Sequence, residues 1–208
     1  MLKIESHVLL PSFETNTWLL WDDESLEAIL VDPAAPSEGL LSRIRALDLK
    51  VLYIINTHGH GDHIGGNEWF RKRLQARLLI HAEDAHFLTD NRRNLSEYLG
   101  APLNCLAADE FLRDEQSLSL GSHMIRVIHT PGHTPGSICL LADKFLISGD
   151  TLFELSIGRT DFPGGSHKQI IASIKEKLFI LPDDVVVCPG HGPRTSIGME
   201  KMNNPLVR

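Results

Sequence analysis

The chain has 208 residues, 42% hydrophobic and 23% charged, with 16 glycines and 11 prolines. That is ordinary globular composition and excludes a collagen-like repeat, a low-complexity disordered chain and a small disulfide scaffold. Twenty Lys and Arg against 27 Asp and Glu give a net charge of −7, and the longest basic clusters, Arg71–Arg73 and Arg92–Arg93, are too short to bind a phosphate backbone, so no nucleic-acid partner is expected.

The first residues, Met1–Phe13, contain no apolar stretch long enough for an export signal, because Glu5 and His7 interrupt it. No run approaches the ~18 apolar residues of a membrane span. Strand-like runs come next at Thr17–Trp21 and Ala28–Val31, the second closed by Asp32-Pro33. Leu40, Leu41, Ile44 and Leu47 share one face at helical spacing and predict a helix over Glu38–Leu47. The continuous apolar run Val51–Ile55 reads as a buried strand. A second helical pattern runs from Gly65-Gly66 to Leu74 and leads to a strand at Arg77–Ile80. Residues 82–107 carry the weakest pattern: a helix, a polar stretch at Asp90–Asn94, then a lid or loop.

Strand signals dominate the second half of the chain: Phe111–Leu112, Ser117–Leu120, Ile125–Ile128, Ser137–Leu141 and Lys144–Ile147. A helix is predicted over Lys168–Phe179, with Ile170, Ile171, Ile174 and Leu178 on one stripe and Pro182 beyond its end. Val185–Cys188 is the last strand. Strands joined partly by hairpins and partly by helices predict two sheets with helices packed outside them. No break in composition divides the chain, so residues 1–208 are expected to form a single domain. No P-loop or Gly-x-Gly-x-x-Gly stands after a strand, so nucleotide binding lacks its usual signal. Three cysteines, Cys105, Cys139 and Cys188, cannot all pair within one chain. They read as reduced thiols, with Cys139 and Cys188 buried and inert, and a cytoplasmic setting is expected.

The compositional oddity is 11 histidines. Directly after the buried strand comes His58-Gly59-His60-Gly61-Asp62-His63, four potential metal ligands within six residues. In extended backbone, side chains two apart share a face, so His58 and His60 can converge on one ion. A turn at Gly61 redirects Asp62 and His63 toward a second position. Three more candidates each come after a strand: His133 in Thr130–Gly136, Asp150 after Ile147–Gly149, and His191 in Cys188–Pro193. An apolar strand ending in a polar ligand beside a glycine recurs too often for coincidence. His7, His81, His86, His123, His129 and His167 lie outside this pattern and are read as solvated or hydrogen-bonded. Tyr53 is read as core, and the three tryptophans as core or surface-covering rings.

These seven residues, in this order and spacing, resemble the metallo-β-lactamase superfamily. Within it, the segments Gly149–Phe153, Gly158–Gly165 and Pro189–Pro193 are similar to glyoxalase II (hydroxyacylglutathione hydrolase) relatives, especially the short single-domain ones. The likeness runs from about Asn16 to Pro205. It implies an α/β fold, the four-layer αββα sandwich, with the site at one edge. It also implies that His58, His60 and His133 hold one metal, that Asp62, His63 and His191 hold a second, and that Asp150 bridges them. Asp62 is in addition the catalytic candidate. Asp32 matches an early aspartate of the family that braces the ligands without binding metal. Arg159 stands near a basic residue that meets a glutathione carboxylate, while Asp161 or Phe162 stands where those relatives have a tyrosine. Full-length glyoxalase II enzymes add a C-terminal helical segment that helps bind glutathione, whereas here Arg208 comes soon after Ser196–Met202, so weak glutathione recognition is expected.

The resulting expectation is a hydrolase with two divalent ions, zinc first and iron or manganese also compatible. Its partner is a small-molecule thioester, S-lactoylglutathione or a related acyl thioester. The competing readings are a mononuclear iron persulfide dioxygenase and a lactonase of the same fold. A purely structural metal module is disfavoured, because closed structural sites are usually Cys-rich.

Overall fold

Each half of the chain builds one six-stranded sheet, and the two sheets face each other. The computed structural model describes residues 1–99, 102–103 and 105–207. The first sheet runs in chain order: β1 (Leu2–Leu10), β2 (Thr15–Asp22), β3 (Glu27–Val31), β4 (Lys50–Ile55), β5 (Arg77–His81) and β6 (Glu110–Leu112). Its first three strands pair antiparallel, and β3 to β6 pair parallel. The parallel crossovers carry α1 (Glu38–Ala46), α2 (Gly61–Ile64) and α3 (Asn67–Leu74). The second half contributes β7 (Ser117–Leu120), β8 (His123–His129), β9 (Ile138–Ala142) and β10 (Phe145–Gly149) as an antiparallel meander. A small hairpin comes next, β11 (Leu152–Phe153) with β12 (Ser156–Ile157). After α4 (His167–Ser173), β13 (Val186–Pro189) joins β10 in parallel, and β14 (Thr195–Ser196) closes the edge before α5 (Ile197–Asn203).

Strand alternation explains the layering. Trp18 and Leu20 of β2 point between the sheets with Ile29, Val31, Ile55 and Leu79, meeting Ile125, Val127, Leu140 and Ile147. Leu19, Leu30, Ile54 and Leu78 point the other way and pack under Leu40, Leu41, Ile44 and Phe70 of α1 and α3. On the far side, Ile128, Cys139, Leu146 and Val187 pack under Ile170, Ile174 and Ile197. Both faces of each sheet are covered, so these strands read as nearly continuous apolar runs. This is the four-layer αββα sandwich expected. Serine caps start three helices: Ser37, Ser166 and Ser196 accept from the backbone N–H three residues on, as helix starts require.

Some local expectations change. The strand Leu2–Leu10 has no counterpart among the predicted elements because it lies at an edge, where Glu5, Ser6 and His7 interrupt its apolar pattern while the backbone still pairs with β2. The helix expected after β5 is instead a 3₁₀ turn, Ala82–Thr89, with a second at Ser96–Leu99. Of the expected loop beyond, residues 100, 101 and 104 lie outside the described residues. The helix predicted over Lys168–Phe179 is α4 continued by a wider π turn, Ile174–Leu178, with the apolar stripe kept. Among the described residues no helix is long and apolar enough to cross a membrane.

Since β8 runs parallel to β10 through two antiparallel pairings, the carboxyl ends of β8, β10 and β13 share one rim of the second sheet. The ends of β3 and β4 share one rim of the first. The three cysteines are buried, and burial pushes their thiols up, to about 11 for Cys105 and Cys139 and about 12 for Cys188. Because the thiolate is the reactive form, a disulfide reagent at neutral pH is expected to titrate almost no thiol in the native protein and all three after unfolding in denaturant. Rapid reaction of any one native thiol would contradict this packing.

Candidate metal centre

Four loops meet where the two rims face each other. The loop after β4 turns directly into α2, so His58 sits at a bend, His60 on extended backbone, and Asp62 and His63 on the first helical turn. His133 comes after β8, Asp150 after β10, and His191 after β13. All seven predicted ligands come together. In one group, His60 Nδ1 lies 2.9 Å from His133 Nε2, and the rings of His58, His60 and His133 stand 4.7–4.8 Å apart. In the other, His63 Nε2 lies 3.2 Å from His191 Nε2, with Asp62 Oδ2 3.7 and 3.5 Å from those two nitrogens. Asp150 stands between the groups: Oδ1 is 3.4 Å from His63, and Oδ2 is 3.5 Å from His133 and 3.3 Å from His191. Each triad gathers its ligand atoms within 4.8 Å.

The outer nitrogens determine what the inner ones can do. His63 Nδ1 lies 3.0 Å from Asp32 Oδ2, His133 Nδ1 2.7 Å from the Arg159 carbonyl, and His191 Nδ1 2.7 Å from the Phe13 carbonyl. All three partners are acceptors, so Nδ1 carries the proton and a neutral ring presents a bare lone pair at Nε2. In the neutral form that a metal ligand requires, the Nε2 lone pairs of His63 and His191 would face each other at 3.2 Å. His58 Nε2 and Asp150 Oδ1 are buried with no hydrogen-bond partner among the described residues. Buried acceptors pointed at one another are costly unless a cation lies among them. The donor set therefore fits divalent metal, with imidazole and carboxylate ligands and no thiolate.

The charge balance points the same way. Among the described residues, the ion pairs of Asp32, Asp62 and Asp150 are all with imidazoles, none with Lys or Arg. Burial, reinforced by the neighbouring imidazoles, lowers His58 and His60 well below the usual histidine range. Burial acts against protonation of His63 too, but the Asp150, Asp62 and Asp32 carboxylates outweigh it and raise that ring to about 10. Burial likewise opposes a charge on Asp150, yet His63 and His191 hold its carboxyl well below the usual range. The site thus collects positive charge around its acids.

Asp32 also meets the distance criterion for a ligand alongside His58 and His63, but its oxygens are engaged. Oδ1 accepts from the Thr57 N–H at 2.8 Å, and Oδ2 accepts from Thr57 Oγ1 at 2.6 Å besides contacting His63. Asn16 holds the His191 loop by donating to the carbonyls of Pro189 and Gly192, at 3.1 and 2.8 Å. A cavity of about 840 Å³ opens over the centre. Phe13, Leu95, Tyr98, Phe153, Ile157 and Phe162 form its apolar wall, with Arg92 and Arg159 beside them. The Arg159 guanidinium is held by both Asp161 oxygens at 2.7 Å and stacks on Phe162 at 3.9 Å. It lines the cavity with its charge already paired.

The histidines read as uninvolved stay apart from the centre: His81 stacks on His129 at 4.0 Å, and His123 pairs with Asp143 at 2.9 Å. Tyr53 packs against the inter-sheet core, and its hydroxyl accepts from Arg77 at 2.9 Å. Sequence reasoning missed Phe13, Arg92, Leu95 and Tyr98. They stand in irregular segments with no periodicity, and nothing local marks them as cavity walls.

Matched against protein families, residues 11–191 fit the metallo-beta-lactamase superfamily. The chain is 36% identical over 200 residues to the hydroxyacylglutathione hydrolase GloC of Haemophilus influenzae, spanning 94% of both chains. The BLEG-1 B3 metallo-beta-lactamase superposes with a TM-score of 0.93 at 38% identity, covering 99% of both chains. TTHA1623, solved in a di-iron-bound form, superposes with a TM-score of 0.83 at 30% identity, covering 97% of this chain and 98% of its own.

Glycines let the loops approach this closely. A Cβ on Gly190 would fall 2.2 Å from Asp150 Oδ1 and 2.8 Å from His63 Cε1, whereas one on Gly39 of α1 meets nothing nearer than 3.8 Å. Gly190→Ala is therefore expected to lower metal content well below wild type after identical metal supplementation, and Gly39→Ala to leave it unchanged, both read by metal analysis.

Proposed function

Because the chain belongs to the metallo-beta-lactamase superfamily, we propose that it is a thioester hydrolase that works with two divalent ions, zinc in the first instance. The observation that carries the reading is the doubled ligand set opening onto a single cavity. His58, His60 and His133 would hold one ion and Asp62, His63 and His191 the other, with the Asp150 carboxylate shared. Bound there, the ions supply Lewis acidity, bringing the pKa of a water toward ~7 and polarising a carbonyl. The protein supplies the rest. Neutral imidazoles in the first group leave the charge of its ion undiminished, and the acids in the second favour cation binding. Asp32, Arg159 and Phe13 hold the ligand rings in one orientation through their outer nitrogens. Asp62 lines the cavity, and we assign its carboxylate to accept the proton that water releases on attack.

The thioester assignment draws on the GloC relative, named a hydroxyacylglutathione hydrolase. The two-ion assignment draws on both triads and on the di-iron form of TTHA1623. The apolar wall suits the arm of an acyl thioester, and Arg159, in competition with its Asp161 partner, is the group we assign to a carrier carboxylate.

Metal analysis is expected to approach two equivalents per chain after supplementation, and content that never exceeds one would sink the two-ion assignment. S-lactoylglutathione should be hydrolysed with release of thiol, whereas oxygen uptake with glutathione persulfide would favour dioxygenase chemistry. Asp150→Ala should reduce the rate by ~100-fold or more, at least what losing an outer partner of a ligand costs. Arg159→Ala should raise KM for S-lactoylglutathione several-fold, and Asp161→Asn, which releases the guanidinium, should lower it. Equal KM values in all three proteins would place carrier recognition elsewhere.

A further inference from the structure

Asp84 lies on the 3₁₀ turn after β5, outside the ligand motifs, and is fully buried. No Lys, Arg or His pairs with it among the described residues. Its partners are three donors. Oδ2 accepts from the Gly59 N–H at 2.9 Å and from Thr134 Oγ1 at 2.7 Å, and Oδ1 accepts from the Gly136 N–H at 2.7 Å. Gly59 is the residue between His58 and His60, and Thr134 is the residue after His133. One carboxylate therefore ties together the two separate chain segments that carry the first ligand group.

The surroundings are tight enough to transmit position. A Cβ on Gly136 would fall 2.6 Å from the Asp84 nitrogen, and one on Gly59 would fall 2.3 Å from Phe87 Cβ, so this turn presses on both ligand loops. The same stretch of chain grips the loop once more, where the Gly61 N–H donates to the Asn94 carbonyl at 2.7 Å. Burial raises the Asp84 carboxyl above the usual carboxylate range, while its three donors act the other way and favour the ionised form.

We propose that Asp84 is a positioning residue for the first ligand group, setting His60 against His133 through Gly59, Thr134 and Gly136. It neither binds metal nor meets substrate. The proposal rests on the two-ion reading of the centre, and its consequence is selective: losing the Asp84 carboxylate loosens the His58–His60–His133 triad and spares Asp62–His63–His191, whose braces are Asp32 and the Phe13 carbonyl.

The test is zinc binding to the metal-stripped protein, measured by competition with a chromophoric chelator, so that no substrate is needed. His60→Ala identifies the binding step of the first group and His191→Ala that of the second. Asp84→Asn keeps the size of the side chain but turns an acceptor oxygen into a donor facing donors. It is expected to weaken the first-group step ~10–100-fold and leave the second within about two-fold. Thr134→Val removes a single donor and should weaken the same step by less. Unchanged affinity at both steps, or an equal fall in both, in protein with wild-type circular dichroism, overturns the proposal. If Asp84→Asn does not fold, Thr134→Val is judged by the same criterion. If the wild type binds in one step only, the two-ion reading fails by itself, and Asp84 is judged on that step, where unchanged affinity overturns it. A protein inactive on thioesters leaves the comparison intact.

Discussion

Imidazole nitrogens facing each other at 2.9–3.2 Å are the constraint around which the rest of this structure is arranged. Imidazoles in water would not adopt this arrangement, and each buried acceptor without a partner costs about 1–3 kcal/mol. The chain tolerates it because the opposing groups do not share a flexible segment. They stand on loops at the ends of β4, β8, β10 and β13, and those strands are locked by a core of Trp18, Leu20, Ile55, Ile147 and their neighbours. Packing of that kind is close to crystalline density and gives little. Rigid sheets hold these imidazoles and carboxylates together, a donor set that a divalent cation would satisfy.

A second set of contacts keeps the rings from rotating away. The outer nitrogens of His63, His133 and His191 are each committed to an oxygen, two of them backbone carbonyls. Backbone acceptors cannot swing as a side chain can, so the chain path itself sets the tautomer and ring plane. Arg159 contributes to the centre through its carbonyl and lines the cavity with its side chain, so one residue links ligand orientation to the wall above. Gly158, just before it, would place a Cβ 1.8 Å from the Asp150 carbonyl. The loop that shapes the cavity thus packs directly on the loop that presents Asp150.

The residues that converge were legible because their signals are local. His58-x-His60-x-Asp62-His63 occupies six consecutive positions after an apolar strand, and Asp150 and His191 come within a few residues of strand ends. Strand period brings His58 and His60 to one face, and the grouping of the others with them is what the family resemblance implies. The strands themselves were legible for the same reason, since burial on both faces makes them continuous apolar runs. Leu2–Leu10 was not, because an edge strand buries little and is held by pairing with β2 rather than by its own pattern.

Short-range spacing in the sequence therefore suffices for the layered fold and for the identity of the residues that converge. Tertiary structure alone decided how they converge and what surrounds them. Asp84 is 25 residues from Gly59 and 50 from Thr134, and no spacing rule connects them. The cavity wall joins Phe13, Leu95, Tyr98 and Phe153 from segments distant in the chain. Pairing of Arg159 with Asp161 depends on the side-chain conformation over Phe162, which a sequence does not record. Such contacts arise only when the sheets close face to face, because the groups involved have no local periodicity and meet solely through the packing of the whole.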